Sequence, residues 1–590
     1  MMNRNRRIQT LVSLTLASQV AVMGQAPGAR AATGITVQKA GSDDAVVIHV
    51  LNRLTFGPSP QDLARVKRMG VSAWIDAQLR PSTAADTALA TRLAPLETLS
   101  METAELRAKY EIPPDVRQQI QKARAEKNPA EGKTGATDPG GRFEQMDPKA
   151  RREEREAMVK QFPQLANLQG TPQKVVQELQ AGKVLRTAYA ERQLDEVMAD
   201  FWFNHFNVFA RKGPVAFMIG EYERGIRERS FGKFEDLLVA VARSPAMLFY
   251  LDNWQSVDPS FSPRDLYRQQ GMGGRPRPNG NRPPGGGAGQ GGAKPPPRRT
   301  FGINENYARE LMELHTLGVD GGYTQADVVE VAKAFTGWTI LGEGPGGPRR
   351  DPESRFAFAE PAHVKGDRRV LGVTIKSGGE KEGLEILHLL ATHPATAKFI
   401  SGKLVRRFVA DNPPQALVHR AAATFTKTGG DIREVLRTIL TSEEFLGPAS
   451  RAAKVKTPFE FVVSAVRATG AEVKNPRPLA EKISAMGMPL YLQQPPTGYK
   501  DTAEEWVSTT SLLERMNFAL DLSAGRVRGV SLDARTLNNQ AATLDSVATQ
   551  ILPGGLSPKS KETLEAEAKK DGDPPKLVGL VLGSPEFQRK

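Results

Sequence analysis

The stretch GKFEDLLVAVARSPAM, residues 232–247, sets the pattern from which the fold of this chain is predicted. Apolar residues occupy its third, sixth, seventh and tenth places, which is the spacing of one stripe along an α-helix. Ser244 follows at the thirteenth place, where a serine side chain can cap a second helix. The stretch therefore predicts two consecutive helices joined at a serine.

The same pattern occurs twice more, as GDIREVLRTILTSEEF at 430–445 and GDPPKLVGLVLGSPEF at 572–587. The three copies align without gaps, and their serines are Ser244, Ser442 and Ser584. Internal duplication and convergence of ordinary helix–serine–helix corners both account for so short a match. Either origin predicts a body of packed helix pairs.

Most of the remaining sequence has helical periodicity, and strand signals are sparse. Thr324, with an acidic residue three places later, predicts a capped helix start, and a second start is predicted at His393–Pro394. The best strand signal predicts a small hairpin within 355–375. The predicted fold class is mainly α, a multi-helix body of packed helix pairs with one small β-hairpin and two low-complexity insertions.

Composition divides the chain into helical parts and polar stretches that cannot bury a core. The predicted organisation is a signal peptide at 1–32, an N-terminal helical part at 46–104, a polar and partly disordered insertion at 105–170, a first core part at 171–261, a disordered Gly/Pro/Arg-rich loop at 262–300, and a second core part at 301–590 that contains the hairpin.

The N-terminus has the features of an export signal. A basic start, NRNRR, precedes a short apolar stretch and an Ala-rich boundary, with cleavage expected after Ala31 or Ala32. No stretch is long and apolar enough for a transmembrane helix, and the chain has no cysteine for disulfides. We therefore expect an exported protein of the periplasm or extracellular space, with general and twin-arginine export both open.

The net charge of +14 is concentrated in two segments. Residues 1–40 contribute +5, and residues 261–300 contribute +7 from eight basic residues and one aspartate. The rest of the chain is nearly neutral, which argues against a nucleic-acid-binding face. An acidic polymer could still bind through 262–300 by electrostatic attraction.

Polar residues that could perform chemistry are concentrated in NENYARELMELHTLGVDGGYT, residues 304–324. A helix over 304–317 would place His315 at the edge of an apolar stripe and Glu310 and Glu313 on the adjacent polar face. Arg309 lies on the same helix and is four residues from Glu305, the spacing of an ordinary ion pair.

A second helical stretch, LDEVMADFWFNHFNVFARKG at 194–213, places His205 on one stripe with Leu194, Met198 and Phe201 and directs it towards the core. His363 falls in the predicted hairpin. We expect His205 and His315 to approach each other, close to Glu310 or Glu313, in a metal or proton-transfer site. The alternative is that each histidine only satisfies a buried hydrogen bond. The candidate catalytic residues are His205, His315, Glu310 and Arg309, and the candidate ligands of a divalent metal are His205, His315, Glu310, Glu313 and His363.

Several motifs together resemble one bacterial family, catalogued as domain-of-unknown-function 1800. They are LNRLTFGPSPQDLARV, FWFNHFNV, LLVAVARSPAMLFYLDN, NENYARELMELHTLGVDGGYTQADV, AFTGW and HPATAKFISGKLVRRFV. The family has no established reaction; the resemblance implies export and a neighbouring exported partner of a sulfatase-like family. This chain has Phe203 where the family often has histidine, and Val364 where it often has aspartate, so two polar residues are missing.

Three functions are compatible with these observations. The first is an exported helical scaffold or partner of another envelope protein, without catalysis. The second is a metal-assisted hydrolase that acts on an envelope or extracellular polymer. The third is electrostatic binding of acidic polymers through 262–300.

Overall fold

The computed structural model of the chain describes residues 43–81, 84–113, 116–120, 156, 159–162, 165, 168–261, 302–343, 353–532, 543–569 and 574–590. The predicted signal peptide at 1–32 and the Gly/Pro/Arg-rich loop at 262–300 lie outside the described residues, as does much of the predicted insertion at 105–170.

The described residues form a mainly α-helical fold, as the sequence predicts. The helices are α1 (Asp44–Leu54), α2 (Pro60–Met69), α3 (Val71–Leu79), α4 (Thr87–Leu93), α5 (Thr103–Tyr110), α6 (Pro172–Tyr189), α7 (Gln193–His205), α8 (Val215–Arg229), α9 (Phe234–Ala242), α10 (Pro245–Tyr250), α11 (Glu305–Glu310), α12 (Gln325–Ala334), α13 (Glu380–Thr392), α14 (Pro394–Phe408), α15 (Gln415–Lys427), α16 (Ile432–Leu440), α17 (Glu443–Leu446), α18 (Pro458–Thr469), α19 (Arg477–Ala485), α20 (Thr509–Ser523), α21 (Leu544–Ile551), α22 (Pro558–Ala568) and α23 (Pro574–Leu582).

The chain divides into two compact units. Unit 1 comprises Met1–Leu237 and Thr392–Lys590, and unit 2 comprises Leu238–Ala391. In unit 1, α14 packs on α15, α15 on α16, and α20 on α23. In unit 2, α11 packs on α12.

Strands are few and short, and their pairing corrects the predicted single hairpin at 355–375. β1 (Trp338–Ile340) pairs with β2 (Phe356–Phe358), and β3 (Arg368–Val370) pairs with β4 (Val373–Ile375), both antiparallel. The alternating pattern in 355–375 therefore belongs to two ladders, because β2 pairs with β1, which precedes the stretch in the sequence. In unit 1, β5 (Glu472–Val473) pairs with β6 (Val530–Ser531).

The helix–serine pattern is confirmed in its first two copies. The predicted stripe of the second copy, on α16, is fully buried, and Ser442 Oγ accepts a hydrogen bond from the Phe445 N–H at the start of α17. Ser244 occupies the equivalent place before α10, but its side chain makes no capping hydrogen bond there. The third copy differs, because α23 is followed by a turn in which Ser584 Oγ accepts from the Phe587 N–H.

The first residues of the first two copies also pair with each other in unit 1. The Phe234 N–H donates to the Gly430 carbonyl at 2.9 Å, and the Ile432 N–H donates to the Gly232 carbonyl at 3.0 Å. Residues 234 and 432, like 232 and 430, occupy equivalent places in the repeat. The exchange is therefore reciprocal, as expected for two similar motifs related by a local two-fold rotation.

The predicted helix starts are confirmed by their caps. Thr324 and Asp327 form a reciprocal capping box at α12, and His393 Nδ1 accepts from the Ala395 N–H at the start of α14. Among the described residues, no helix has the length and apolar character needed to cross a membrane.

Part of the predicted polar insertion is packed. Its first residues complete α5, and Val116, Ile120, Phe162 and Leu165 form a small buried cluster. The prediction overlooked these residues because they are spaced among charged side chains that dominate the composition.

Candidate functional site

In unit 2, the candidate residue His363 belongs to a buried group of charges. Its Nε2 lies 3.2 Å from Glu382 Oε1, and Arg368 Nε lies 3.4 Å from Glu382 Oε2. Glu382 is completely buried, and His363 and Arg368 are nearly so. A carboxylate so deep in the protein requires compensating polar partners close by; Arg368 supplies a positive charge and His363 a ring nitrogen.

Local backbone geometry holds the His363 ring in place. The ring Nδ1 lies 2.9 Å from the Thr336 carbonyl, so both nitrogens face an acceptor. Gly337 follows with a φ of +80°, and a Cβ there would lie 2.7 Å from the Ala359 carbonyl oxygen. The AFTGW motif thus makes a tight turn that carries the acceptor for His363.

Glu382 was not predicted as a site residue. It lies in the first turn of α13, where its Oε1 accepts from the Gly378 and Gly379 N–H groups at 2.8 and 3.2 Å. This carboxylate therefore caps its own helix and pairs with His363. The sequence indicates Glu382 only as an acidic residue shortly after Gly378 and Gly379. That signal is weak, because acidic residues are common in the first turns of helices.

The stretch that carries Glu310 and Glu313 is not one continuous α-helix. α11 ends at Glu310 and continues as a π-helix over Leu311–Thr316, where the Leu317 N–H donates to the Met312 carbonyl at 2.8 Å. This corrects the predicted α-helix over 304–317. Segments of π-helix are rare and occur often at functional sites.

Glu310 and Glu313 flank the start of this π-helix, and Glu313 acts electrostatically on Glu310. Burial, and next the Glu313 carboxylate, raise the pKa of Glu310, while Arg309 acts in the opposite direction. The Tyr323 hydroxyl donates to Glu313 Oε2 at 3.4 Å. The pair is half-buried and thus accessible, and it includes one carboxyl that holds its proton more tightly than usual.

Arg309 and His315 occupy different environments on the same segment. Arg309 donates to Gln325 Oε1 at 3.0 Å and lies 3.9 Å from Glu305, the ion pair expected from its spacing. His315 is buried within the π-helix.

In unit 1, His205 lies at the end of α7 in an aromatic environment. Its ring centroid lies 4.4 Å from that of Phe206, 5.5 Å from that of Trp202 and 6.3 Å from that of Phe399. His205 belongs to unit 1 and His315 to unit 2, and their predicted approach stays a prediction.

The asparagines beside His205 hold a neighbouring loop. Asn204 Nδ2 donates to the Tyr499 carbonyl at 2.8 Å, and its Oδ1 accepts from the Tyr499 N–H at 2.7 Å. Asn207 Nδ2 donates to the carbonyls of Gln493 and Pro495, both at 2.9 Å. An amide that pairs with the N–H and C=O of one residue imitates a strand partner, so these motif residues fix the loop backbone.

Within the part of the chain that the structure describes, no three His, Cys, Asp or Glu side chains are grouped so that they could hold a metal ion. The candidate residues instead occur as the Glu310–Glu313 pair, the His363–Glu382–Arg368 cluster, and the buried His205 and His315.

Comparison with known proteins identifies the family. The chain belongs to the family described as protein of unknown function (DUF1800), whose model matches residues 49–589. No curated protein and no solved structure matches the chain. The family membership predicted from the motifs is confirmed, and the match covers both units.

Proposed function

We propose that the protein is an exported scaffold that acts by binding another envelope protein and performs no catalysis itself. The observation that supports this best is the internal use of its polar motif residues. Asn204 and Asn207 hold the loop at 493–499, and His363 pairs with Glu382. Residues of these types would be expected to face a substrate in an enzyme, and here they stabilise neighbouring segments of the chain.

The partner class that the family resemblance implies is an exported protein of a sulfatase-like family. Export is the premise of this proposal, and it rests on the basic start, apolar stretch and Ala-rich boundary of residues 1–32. Sequencing the N-terminus of the mature protein tests this premise. Cytoplasmic protein that still begins at Met1 would contradict it.

The experiment for the scaffold function is a native mass measurement in an envelope extract from the source organism. The expected result is a complex of fixed stoichiometry with a second exported protein. The double variant Glu310→Gln and Glu313→Gln should form the same complex, because the proposal assigns these carboxylates no part in assembly. A monomeric wild-type chain in the same extract would overturn the proposal.

A second candidate function is hydrolysis of an envelope or extracellular polymer, and the Glu310–Glu313 pair favours it. A carboxyl with a raised pKa, such as that of Glu310, can donate a proton to a leaving group, and two carboxyl groups side by side can divide the acid and base roles. Glu310 would be the acid and Glu313 the base or, with a divalent metal, a ligand.

Release of soluble fragments from a labelled envelope polymer tests this candidate. Glu310→Gln should abolish the release, whereas Glu385→Gln, at an exposed position on α13, should not. Equal release by both variants, or none by the wild-type protein, would exclude Glu310 as a catalytic acid.

A further inference from the structure

The interior of unit 1 contains a concentration of positive charge that neither proposed function uses. Among the described residues of unit 1, eight basic side chains are at least nine-tenths buried, and Arg515 is completely buried. Six of the eight form what we call the buried cationic cluster: Arg53, Arg407, Lys454, Lys456, Arg515 and Lys590.

Three members of the cluster form ion pairs with acidic side chains, and two of them share one carboxylate. Arg407 Nη1 lies 2.6 Å from Glu460 Oε1, and the Lys590 ammonium group pairs with the same oxygen. The Lys454 ammonium group pairs with Asp411 and lies 3.2 Å from Asp501. Glu460 is itself fixed in the capping box of α18.

Backbone contacts connect the other three members. Arg53 Nη2 donates to the carbonyl of Val409, two residues beyond Arg407, at 3.0 Å. Arg515 Nη2 donates to the Lys456 carbonyl at 2.8 Å. The Lys456 and Lys590 backbones belong to one antiparallel pairing. Arg53, Lys456 and Arg515 interact electrostatically with Glu460, the partner of Arg407 and Lys590, and Lys454 interacts with Lys590, so the cluster occupies one region.

The charges of this region do not balance. Three acidic side chains, Glu460, Asp411 and Asp501, face six basic ones. Asp200 also acts on Arg407, but it is already paired with Lys183 at 2.7 Å. With both lysines of lowered pKa protonated, the side chains alone therefore leave an excess of three positive charges, which is costly in a protein interior.

Several donors of the cluster have no acceptor among the residues that the structure describes. They are Nε and Nη1 of Arg53, Nε and Nη1 of Arg515, and Nε of Arg407. Buried donors are nearly always satisfied, so five unused guanidinium nitrogens indicate a missing acceptor. The planar N–H groups of arginine match the oxygens of phosphate, sulfate or carboxylate.

We propose that the buried cationic cluster binds a small tetrahedral oxyanion, phosphate or sulfate, inside unit 1. Two negative charges would offset most of the excess, and four oxygens offer more acceptor positions than the two of a carboxylate. The anion would satisfy unused donors of Arg53, Arg407 and Arg515 and lie close to the lysines.

The lysines predict how binding depends on pH. Burial lowers the pKa of Lys456 and of Lys590 to about 7, while Glu460 acts in the opposite direction on both. Arg515 and Lys590 further lower the value for Lys456, and Arg407 and Lys454 further lower that for Lys590. A bound anion favours the charged lysines, so binding takes up protons and must weaken as the pH rises.

Calorimetric titration of the full mature chain with sodium sulfate tests the proposal. Sulfate is the probe because it does not titrate near neutral pH, and chloride keeps the ionic strength constant. The expected result is saturable binding at one site, weaker at pH 8 than at pH 6 by about tenfold or more, since lysines must be protonated on binding. No saturable heat at either pH, with sulfate or with phosphate, would overturn the proposal.

Variants locate the site. Arg515→Met should abolish binding, and Lys456→Met should remove much of its pH dependence, if both variants fold. Arg420→Met removes an exposed arginine that pairs with Glu444, and it should bind as the wild-type protein does. Binding unchanged in Arg515→Met, or acetate binding as tightly as sulfate, would contradict the assigned site or anion class. If Arg515→Met does not fold, the proposal is tested by sulfate titration of the wild-type protein and of Lys456→Met. Equal pH dependence of binding in these two proteins would then contradict the assigned site.

Discussion

Glu382 is the residue on which the interior of unit 2 depends most clearly. It is completely buried, yet it faces His363 at 3.2 Å and Arg368 at 3.4 Å and accepts two backbone N–H groups. Removing one member of a buried ionic group costs more than the group contributes, because its partners keep their desolvated charge.

Glu382→Gln should therefore destabilise the protein by about 3 kcal/mol, although glutamine keeps an oxygen for the N–H groups of the helix start. Glu385→Gln, on the exposed side of the same helix, should change the free energy of unfolding by less than about 0.5 kcal/mol. Chemical denaturation of both variants measures the difference. Equal stabilities would show that the buried charge has no structural role.

At this scale the sequence indicated His363 but not its partners. A histidine in a polar stretch is a candidate site residue, because few residue types perform acid–base chemistry near neutral pH. Glu382 and Arg368 resemble ordinary surface residues in the sequence, and only the packing of α13 against the β1 region buries them. Burial of charge is a tertiary property, so local pattern could not predict it.

Among the elements, the loop at 493–499 is held from one side by the end of α7. Gly498 has a φ of +68°, and a Cβ on it would lie 2.2 Å from the Asn204 carbonyl oxygen. Gly525 has nearly the same φ, +66°, but nothing within 4 Å of its Cβ position. Alanine variants at these two glycines therefore separate the cost of the left-handed backbone from the cost of the steric clash.

Gly525→Ala should cost about 1 kcal/mol, from the left-handed backbone alone. Gly498→Ala should cost about 3 kcal/mol, because the clash with Asn204 adds to that strain. Unfolding free energies and hydrogen exchange of the Tyr499 amide give the comparison. If the two variants lose equal stability, the loop does not pack as described.

The π-helix makes a prediction that depends on pH. A raised pKa in the folded state means that ionised Glu310 destabilises the fold, so this penalty is absent at low pH and grows as the pH rises. Glu310→Gln should raise the melting temperature at pH 7 by about 1–2 °C, a small effect because the group is half-exposed. Near pH 4 the variant and the wild-type protein should have the same melting temperature. A lower melting temperature of the variant at pH 7 would show that ionised Glu310 stabilises the fold, contrary to the prediction.

The helix over 304–317 was predicted at the right place but with the wrong hydrogen bonding. The same apolar residues can line one face of an α-helix or of an α-helix that widens into a π-helix, so periodicity does not distinguish them. No single residue type in the stretch specifies the wider turn. By contrast, the caps at Thr324 and His393 were predictable, because capping chemistry is local.

For the whole molecule, the buried cationic cluster should control stability above neutral pH. The pKa of Lys456 is about 7 in the folded protein, well below the ordinary lysine value, so the unfolded chain binds more protons between these values. Without a bound anion, stability should rise with pH across this range.

Lys456→Met should remove part of this rise and stabilise the protein at pH 7 by about 1–3 kcal/mol, in buffers free of sulfate and phosphate. Lys398→Met, which replaces an exposed lysine of α14, should leave the pH dependence as it is. Melting curves at several pH values between 7 and 9 provide the test. Parallel curves for the wild-type protein and Lys456→Met would contradict the lowered pKa.

The helical architecture was the most predictable property of the molecule. The stripe of α16 and the serines that follow α9 and α16 were evident in the sequence, because helix periodicity and capping are short-range. The division into two units and the pairing of β1 with β2 depend on distant segments, and nothing local specifies them.

We expect the polar motif residues to hold the fold together without binding a metal. The metal content of the protein purified, without chelators, from its native compartment tests this expectation. The expected metal content is well below one ion per chain, and His205→Gln and His363→Gln should change stability only. About one tightly bound ion per chain, lost in either variant while the fold is retained, would contradict it.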